Sequence, residues 1–149
     1  MANDHHRLWD RIIEALNTRN FAIFEEVFTE DFVDEYPQSG EVVRGRDNFR
    51  AILENYPGIE RGINVDPASI RSLADDAVRP IGPTYTIVKV RGGGDNGVLT
   101  MKTRYPDGSV WWIVRMYTLR GDLLARSTTY FAQEFPAPAW RAKYVERMS

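Results

Sequence analysis

The residues best suited to chemistry in this chain interrupt an apolar strand near its start. The segment DFVDEYPQSG, residues 31–40, alternates so that Phe32, Asp34 and Tyr36 share one face and Glu35 lies on the other. A carboxylate beside a phenol can transfer a proton and donate a hydrogen bond to a developing oxyanion. Polar strand residues often face solvent, so Asp34 has two equally good placements. Tyr36 precedes a proline and is expected to be partly buried.

Two strands near the C-terminus supply a second set of candidates. In VWWIVRMY, residues 110–117, alternation separates an apolar face from a face that mixes aromatic side chains with a cation: Trp112, Val114 and Met116 against Trp111, Ile113, Arg115 and Tyr117. The apolar face is typical of packing, and the mixed face suits a pocket wall or a subunit interface. In the last strand the two faces are Arg126, Thr128 and Tyr130 against Ala125, Ser127, Thr129 and Phe131.

Other motifs indicate turns or isolated side chains. RGGGDNG, residues 91–97, lacks the lysine and the serine or threonine of a P-loop and leads into a strand, so it predicts a hairpin. His5 and His6 are the only histidines, and neighbours on a helix point about 100° apart. Cysteine is absent. We therefore predict no metal site, no thiol chemistry and no histidine-dependent triad.

Length and composition predict one globular domain over residues 1–149. Hydrophobic residues make up 43% of the chain, which is enough for a packed core. The net charge is −2 and the basic residues are scattered, which argues against a nucleic-acid-binding surface. The first residues lack the pattern of a secretion signal, and no apolar stretch is long enough to cross a bilayer. A cytoplasmic protein with neither a nucleic-acid nor a membrane partner is expected.

Periodicity predicts helices first and strands afterwards. Helical spacing covers residues 5–16, a second helix begins after Asn20, and a third runs from about Asp47 to the YPG motif. Residues 61–74 are ambiguous, and a strand is one interpretation of their first half. Strand patterns then continue from residues 84–90 to the last strand, separated by the hairpin and by the turns PDG and RGD. This order indicates an α+β fold with antiparallel strands.

Three segments of the chain resemble one known family. FTEDFVDEYP, RGRDNF and TTYFAQEFPAPAWRA resemble the SnoaL-like branch of the nuclear-transport-factor-like superfamily, and the resemblance covers nearly the whole chain. It implies a cone, in which a strongly curved antiparallel sheet wraps around N-terminal helices as in cystatin-like α+β barrels, with a pocket at the wide end. It also implies a homodimer that packs through the outer sheet face. The family includes polyketide cyclases, ketosteroid isomerases, epoxide hydrolases and dehydratases beside members without established activity, so the fold does not fix the reaction.

The cone assigns an inner face to each strand. By this resemblance the candidate catalytic residues are Asp34 and Tyr36, and the candidate ligand-binding residues are Phe32, Trp111, Ile113, Arg115, Tyr117, Arg126 and Tyr130. In ketosteroid isomerases the residue before this proline is the aspartate that shuttles the proton. Here that residue is Tyr36, and a tyrosine with a reference pKa of about 10 is a poor base near neutrality. The isomerase mechanism therefore does not transfer position for position.

Two functions that use the cavity remain open. The first is a cofactor-free enzyme that isomerises, cyclises, dehydrates or hydrolyses a small hydrophobic or aromatic molecule. Asp34 would be its acid–base group, Tyr36 or Tyr130 would donate to an enolate, and an arginine would hold a carboxylate or ketone oxygen. Enclosure favours protonated Asp34, whereas a nearby Arg115 or Arg126 favours its carboxylate. The second function is binding of a hydrophobic or anionic ligand without catalysis.

The third function is a structural or partner-binding role, in which the outside of the sheet packs against another chain. The residues expected there are apolar: Trp112, Val114, Met116 and Phe131. An exposed apolar sheet face is a liability in a monomer, so this face is expected to pack against a second chain.

Overall fold

The computed structural model describes residues 3–55, 79–81, 85–104 and 109–148 of the chain. The helices are α1 (His5–Thr18), α2 (Phe24–Val27) and α3 (Arg46–Glu54), and 3-10 helices cover Phe21–Ile23 and Ala139–Tyr144. The strands are β1 (Phe28–Tyr36), β2 (Glu41–Arg44), β3 (Arg79–Ile81), β4 (Tyr85–Gly93), β5 (Asn96–Arg104), β6 (Val110–Arg120) and β7 (Leu123–Gln133). The strand considered within residues 61–74 and the PDG turn lie outside the described residues.

The helices begin close to where the sequence predicts. Asp4 caps α1, because its side chain accepts a hydrogen bond from the backbone amide of Arg7 at 3.0 Å. The predicted second helix is only one α-helical turn long, since Phe28 already belongs to β1. Among the described residues, no helix has both the length and the apolar character needed to span a membrane.

The seven strands form one sheet in the order β2-β1-β7-β6-β5-β4-β3. The α+β class and the curved sheet against N-terminal helices are confirmed. One strand pair departs from the expected antiparallel arrangement, because β1 and β7 pair in parallel with Asp34 opposite Ser127. Two parallel neighbours need a long connection, and here the strands β2 to β6 lie between β1 and β7 in the chain. The first and last strands thus lie side by side at the site.

Four phenylalanines join the helices to the inner face of the sheet. Phe24, Phe28, Phe32 and Phe49 have ring centroids 4.8–5.9 Å apart in contacting pairs. All four are buried, and their edge-to-face, tilted and stacked pairs add about 0.5–1.5 kcal/mol each beyond their buried area. Phe32 is therefore a core residue beneath the site, and α3 is held against β1 through Phe49.

A bulge in β7 decides which of its side chains face inward. Leu119 pairs with Leu124, but Thr118 pairs with Arg126, so Ala125 is an extra residue on β7. The inward sequence is consequently Leu124, Ser127 and Thr129, all buried. An uninterrupted two-residue hairpin would have put Arg126 opposite Tyr117 and turned it inward, as the sequence interpretation assumed.

Because of the bulge, three predicted side-chain placements on β7 are wrong. Arg126 is exposed and makes an ion pair with Glu35 on the outer face, with 2.5 Å between Nη2 and Oε1. Tyr130 is also exposed on that face. Phe131, expected on the outer face, instead packs edge-on against Tyr36 with ring centroids 5.6 Å apart.

The hairpin between β4 and β5 receives the N-terminus of α1. His5 places Nε2 3.0 Å from the Gly94 carbonyl oxygen and Nδ1 2.9 Å from the Tyr117 hydroxyl. A Cβ atom on Gly92 would lie 2.3 Å from the His5 ring, and one on Gly97 would lie 2.1 Å from the Tyr117 ring. These glycines are thus required for close approach of two rings to the backbone. The predicted hairpin is confirmed, and part of the RGGGDNG motif has a packing role.

Just after β1 ends, the side chain of Gln38 forms hydrogen bonds with β7 and so extends the pairing of these two strands. The Gln38 carboxamide accepts a hydrogen bond from the Phe131 amide and donates one to the Phe131 carbonyl oxygen. Gln38→Ala removes both and is expected to lower the free energy of unfolding by about 1–2 kcal/mol. Urea denaturation measures the change. Gln133→Ala, an exposed glutamine at the end of β7, is the control, and an equal loss in both variants would contradict this role.

Candidate functional site

A charged network lies on the inner face where β1, β6 and β7 meet. The Asp34 Oδ2 atom accepts a hydrogen bond from Arg115 Nη2 at 3.0 Å, and Oδ1 accepts from the hydroxyls of Ser127 at 2.7 Å and Thr129 at 2.8 Å. Arg115 Nε donates to Thr129 Oγ1 at 2.9 Å. The strands fix this geometry, since Asp34 pairs with Ser127 and Arg115 pairs with Thr129 in the sheet. A buried ion pair survives only when its remaining polar atoms are satisfied in this way.

The two members of the ion pair differ in their access to solvent. Asp34 is 0% exposed, whereas Arg115 retains 8% of its surface. The Arg115 guanidinium lies 5.4 Å from the centroid of the Phe49 ring, which supports it from the side of α3. Nη1 donates to no protein atom in the described part of the chain. Arg115 is therefore the member that can contact a ligand, and Asp34 holds it in place.

Tyr36 lies at the rim of this network. Burial raises the pKa of the Tyr36 phenol, and the negative charge of Asp34 raises it further, against the opposing effect of Arg115. The phenol therefore stays protonated at neutral pH and serves as a hydrogen-bond donor. Phe131 contacts the ring edge-on and fixes its orientation.

The raised pKa of Tyr36 predicts a pH dependence of stability. Unfolding exposes the phenol, which then releases its proton from about pH 10, so the folded state binds more protons and its stability falls as the pH rises. Tyr36→Phe is expected to reduce this alkaline slope by up to about 1.4 kcal/mol per pH unit. Urea denaturation between pH 8 and 11 measures it, with Tyr130→Phe on the outer face as control. An unchanged slope in Tyr36→Phe would contradict the assignment. Some slope remains in either variant because burial also raises the pKa of Tyr117.

The structure brings together only part of the predicted set. Asp34, Tyr36 and Arg115 form one cluster, and Ile113 is buried on the same face. Trp111 is half-buried on that strand, and its Nε1 donates to Ser109 Oγ at 3.0 Å.

Tyr117 shares the inner face but serves another contact. Its hydroxyl is bonded to His5, and its ring packs edge-on against Trp9 with centroids 5.4 Å apart. In this structure Tyr117 therefore helps to pack α1 against the sheet. Arg126 and Tyr130 lie on the opposite side of the sheet.

Sequence reasoning missed Ser127 and Thr129 as partners of Asp34. The available signal was that Ser127 and Thr129 alternate in ARSTTYF. Two short hydroxyl side chains on one face can both donate to a buried carboxylate. The bulge that turns them inward has no comparable signal in the sequence. Among the described residues, no group of histidine, aspartate and glutamate side chains is arranged to hold a metal ion.

A depression at the other end of β1 is a weaker candidate. It has a volume of about 710 Å³ and is lined by Thr29, Glu30, Asp31, Arg120 and Leu123. Two of its charged groups pair with each other, since Arg120 donates to both carboxylate oxygens of Asp31 at 3.0 and 3.1 Å. This bond lowers the pKa of Asp31, and both side chains are exposed.

The fold places this protein in the SnoaL-like class, and a family comparison agrees. A model of the SnoaL-like domain matches residues 9–127, and the chain belongs to this family. The predicted resemblance is thereby confirmed. No curated protein matches the sequence.

Solved structures support the same fold. An NTF2-like protein of unknown function from Burkholderia xenovorans LB400 is 20% identical, with a TM-score of 0.72 over 97% of this chain and 94% of the other. A candidate ketosteroid isomerase from Kribbella flavida DSM 17836 is 20% identical, with a TM-score of 0.69 over 96% and 88%. A Mycobacterium tuberculosis epoxide hydrolase of the LEH-like type is 14% identical, with a TM-score of 0.53 over 84% and 80%. At these identities the likeness concerns the fold alone.

Proposed function

We propose that this protein binds a small, mainly hydrophobic or aromatic molecule on the inner face of the sheet, with one ligand oxygen held by Arg115. The observation that carries the proposal is the fixed guanidinium. Asp34 and Thr129 occupy Nη2 and Nε, while Nη1 donates to no atom of the described residues and so has two N–H groups for an external acceptor. Holding an arginine in one orientation reduces the entropy lost when it binds an oxygen.

The surroundings of Arg115 define the class of ligand. The aromatic rings of Tyr36, Phe131 and Trp111 are half-buried on the inner face, so each retains surface for contact. The Tyr36 phenol, which interacts with Asp34 in the structure, supplies a second donor when it exchanges that partner for a ligand oxygen. A flat apolar body with a carboxylate, enolate or ketone oxygen fits this combination of rings and donors.

A second candidate is catalysis without a cofactor, and the protonated state of Tyr36 favours it. Two donors, a neutral phenol and a fixed guanidinium, would stabilise negative charge developing on an enolate oxygen during isomerisation, cyclisation or dehydration. Asp34 is a poor choice as the proton carrier in this arrangement. Its carboxylate accepts three hydrogen bonds and is sealed from solvent, whereas a base must reach the proton that it removes.

The first test of binding is native mass spectrometry of the purified protein against its denatured mass. A retained small molecule supports the proposal and identifies the ligand. Affinity for that molecule is then measured by calorimetry in Tyr36→Phe, Arg115→Lys and the outer-face control Tyr130→Phe. We expect a loss of about 5–30-fold in the first two, as for a lost hydrogen bond to a charged or polar group, and none in the control. Equal affinity in all folded variants would contradict a site at Arg115.

Asp34→Asn separates the two candidates. Asparagine keeps the shape of the side chain but removes the charge that fixes Arg115. Turnover that falls more than affinity indicates an enzyme, because the lost interaction then acts in the transition state. Parallel loss of binding, without turnover in the wild type, indicates a binding protein.

A further inference from the structure

The segment after β7, residues 134–148, leaves its own apolar side chains uncovered. We call it the C-terminal arm. The 3-10 helix Ala139–Tyr144 within it buries no residue. A short turn of this kind is not stable in water by itself, so the arm requires a surface to pack against. Its large apolar residues are 47–96% exposed, namely Phe135, Trp140, Tyr144, Val145 and Met148.

The arm begins at the rim of the inner-face site. Gln133, the last residue of β7, pairs with Trp111, and Phe131 packs against Tyr36 with ring centroids 5.6 Å apart. The Gln38 carboxamide bonds to both backbone groups of Phe131 and so fixes this end of β7. The arm therefore leaves the sheet beside the three half-buried rings that line the proposed ligand site.

Alternation directs the start of the arm toward the inner face. Glu134 turns outward, and its carboxylate lies 3.6 Å from Lys102 Nζ on the outer face. Its amide still donates to the Val110 carbonyl oxygen at 2.9 Å, so the strand pattern continues to this point. The next residue, Phe135, is therefore directed to the inner side. Pro136 then ends the pairing, because proline has no amide hydrogen to donate.

Trp140 is the aromatic residue of the arm whose reach matches the site. Arg115 lies four residues along β6 from Trp111, which is about 13 Å at the spacing of a strand. Trp140 follows Gln133 by seven positions, and a chain of this length spans at most about 25 Å. The arm can thus turn back and bring the indole over the guanidinium. Phe135 reaches only about 7 Å from Gln133 and stays at the rim.

We propose that the C-terminal arm folds back over the inner-face site of its own chain, and that Trp140 forms the wall of that site opposite Tyr36 and Phe131. This inference rests on the proposed function, since the arm covers the molecule that Arg115 holds. The Trp140 side chain, 76% exposed in the structure, then buries its indole against the ligand. Ring-on-ring contact favours a flat aromatic ligand over a saturated one, so Trp140 determines specificity for ligand shape.

The test uses the full chain and 2-naphthoate, a flat aromatic carboxylate, as the probe. Calorimetry measures its Kd for the wild type, Arg115→Lys, Trp140→Ala and Met148→Ala. We expect Trp140→Ala to weaken binding by about 10–100-fold, as for an aromatic side chain at the centre of a contact. Met148→Ala is the control and keeps the wild-type Kd, since Met148 is an apolar arm residue beyond the 3-10 helix. Both substituted side chains are exposed, so neither change is expected to unfold the protein.

A saturated analogue tests the specificity assigned to Trp140. Decahydro-2-naphthoate has the same carbon skeleton and carboxylate as 2-naphthoate but no aromatic ring. We expect the wild type to prefer 2-naphthoate, and Trp140→Ala to lose about 2–12-fold of that preference, as for one lost aromatic pair. An equal preference in both proteins would overturn the specificity role.

Hydrogen exchange reports closure of the arm without reference to affinity. With saturating 2-naphthoate, the amides of residues 139–148 should exchange at least about fivefold more slowly in the wild type. Unchanged exchange there, or an unchanged Kd in Trp140→Ala, would overturn this inference, while a weaker Kd in Arg115→Lys would still support the proposed function. No binding to the wild type would overturn both. Tight binding restored by mixing Arg115→Lys with Trp140→Ala would place the arm over a second copy and overturn the contact within one chain.

Discussion

Replacing Arg115 by leucine is expected to lower the free energy of unfolding by about 3–5 kcal/mol. The substitution leaves Asp34 as an uncompensated charge with no exposed surface, because its nearest cation is the Arg115 guanidinium at 3.0 Å. Ser127 and Thr129 still donate to Oδ1, but neutral hydroxyls cannot replace a guanidinium. Urea denaturation at pH 7 with two-state analysis measures the loss.

Arg126→Leu is the matched control for this prediction. Arg126 lies one strand away and also makes an ion pair with a carboxylate, but the pair with Glu35 is largely exposed. Exposed pairs contribute about 0–1 kcal/mol, so little change is expected. The double variant Asp34→Leu/Arg115→Leu should recover part of the single loss, since apolar replacement of both partners removes the buried charge. Equal losses in Arg115→Leu and Arg126→Leu would show that the ion pair is not the buried one described.

Gly97→Ala should destabilise the fold by about 3 kcal/mol, although it adds only one methyl group. A Cβ at this position would lie 2.1 Å from Cζ and 2.2 Å from Oη of Tyr117. The ring cannot move freely, because its hydroxyl is bonded to His5 and Trp9 packs against its edge. The substitution therefore separates α1 from the hairpin, and thermal unfolding followed by circular dichroism measures the cost.

Gly93→Ala tests whether the effect of Gly97→Ala is local. Gly93 lies in the same hairpin, and nothing is within 4 Å of its added Cβ, so the substitution should be nearly neutral. The added cost of Gly97→Ala should also shrink in a Tyr117→Leu background, because the clashing atoms are then absent. A similar cost in both backgrounds would place the strain elsewhere than at the Tyr117 ring.

The opening strand shows how far the sequence predicts the site. Alternation alone put Phe32, Asp34 and Tyr36 on one face, and all three face inward. The same rule placed Arg115 and Ile113 correctly on β6. The pairing has no register shift through these residues of β6 or from Val33 to Tyr36 on β1. Where a strand is regular, parity is a sufficient guide to orientation.

Alternation predicted the wrong orientations on β7, because one extra residue shifts the side chains that follow it to the other face. Ala125 carries no side-chain feature that distinguishes a bulged residue from a regular one, so the sequence gives no reason to interrupt the alternation there. The bulge is a property of the pairing of β7 with both β6 and β1, which only the assembled sheet determines. This is why two exposed residues entered the predicted pocket, while the two hydroxyls that hold Asp34 were left out.

The pairing of β1 with β7 also constrains the order in which this protein can fold. The hydrogen bonds from Ser127 and Thr129 to Asp34 span 93 and 95 positions along the chain, and the His5–Tyr117 bond spans 112. During synthesis the first strand and first helix emerge long before their partners, so α1 cannot be fixed until β6 is made and β1 cannot be fixed until β7 is made. A ribosome-bound chain that ends before Leu123 should therefore expose the β7-facing edge of β1 and the unpaired Asp34 to chaperones. Release of the last strand should be the step that commits the chain to its native state.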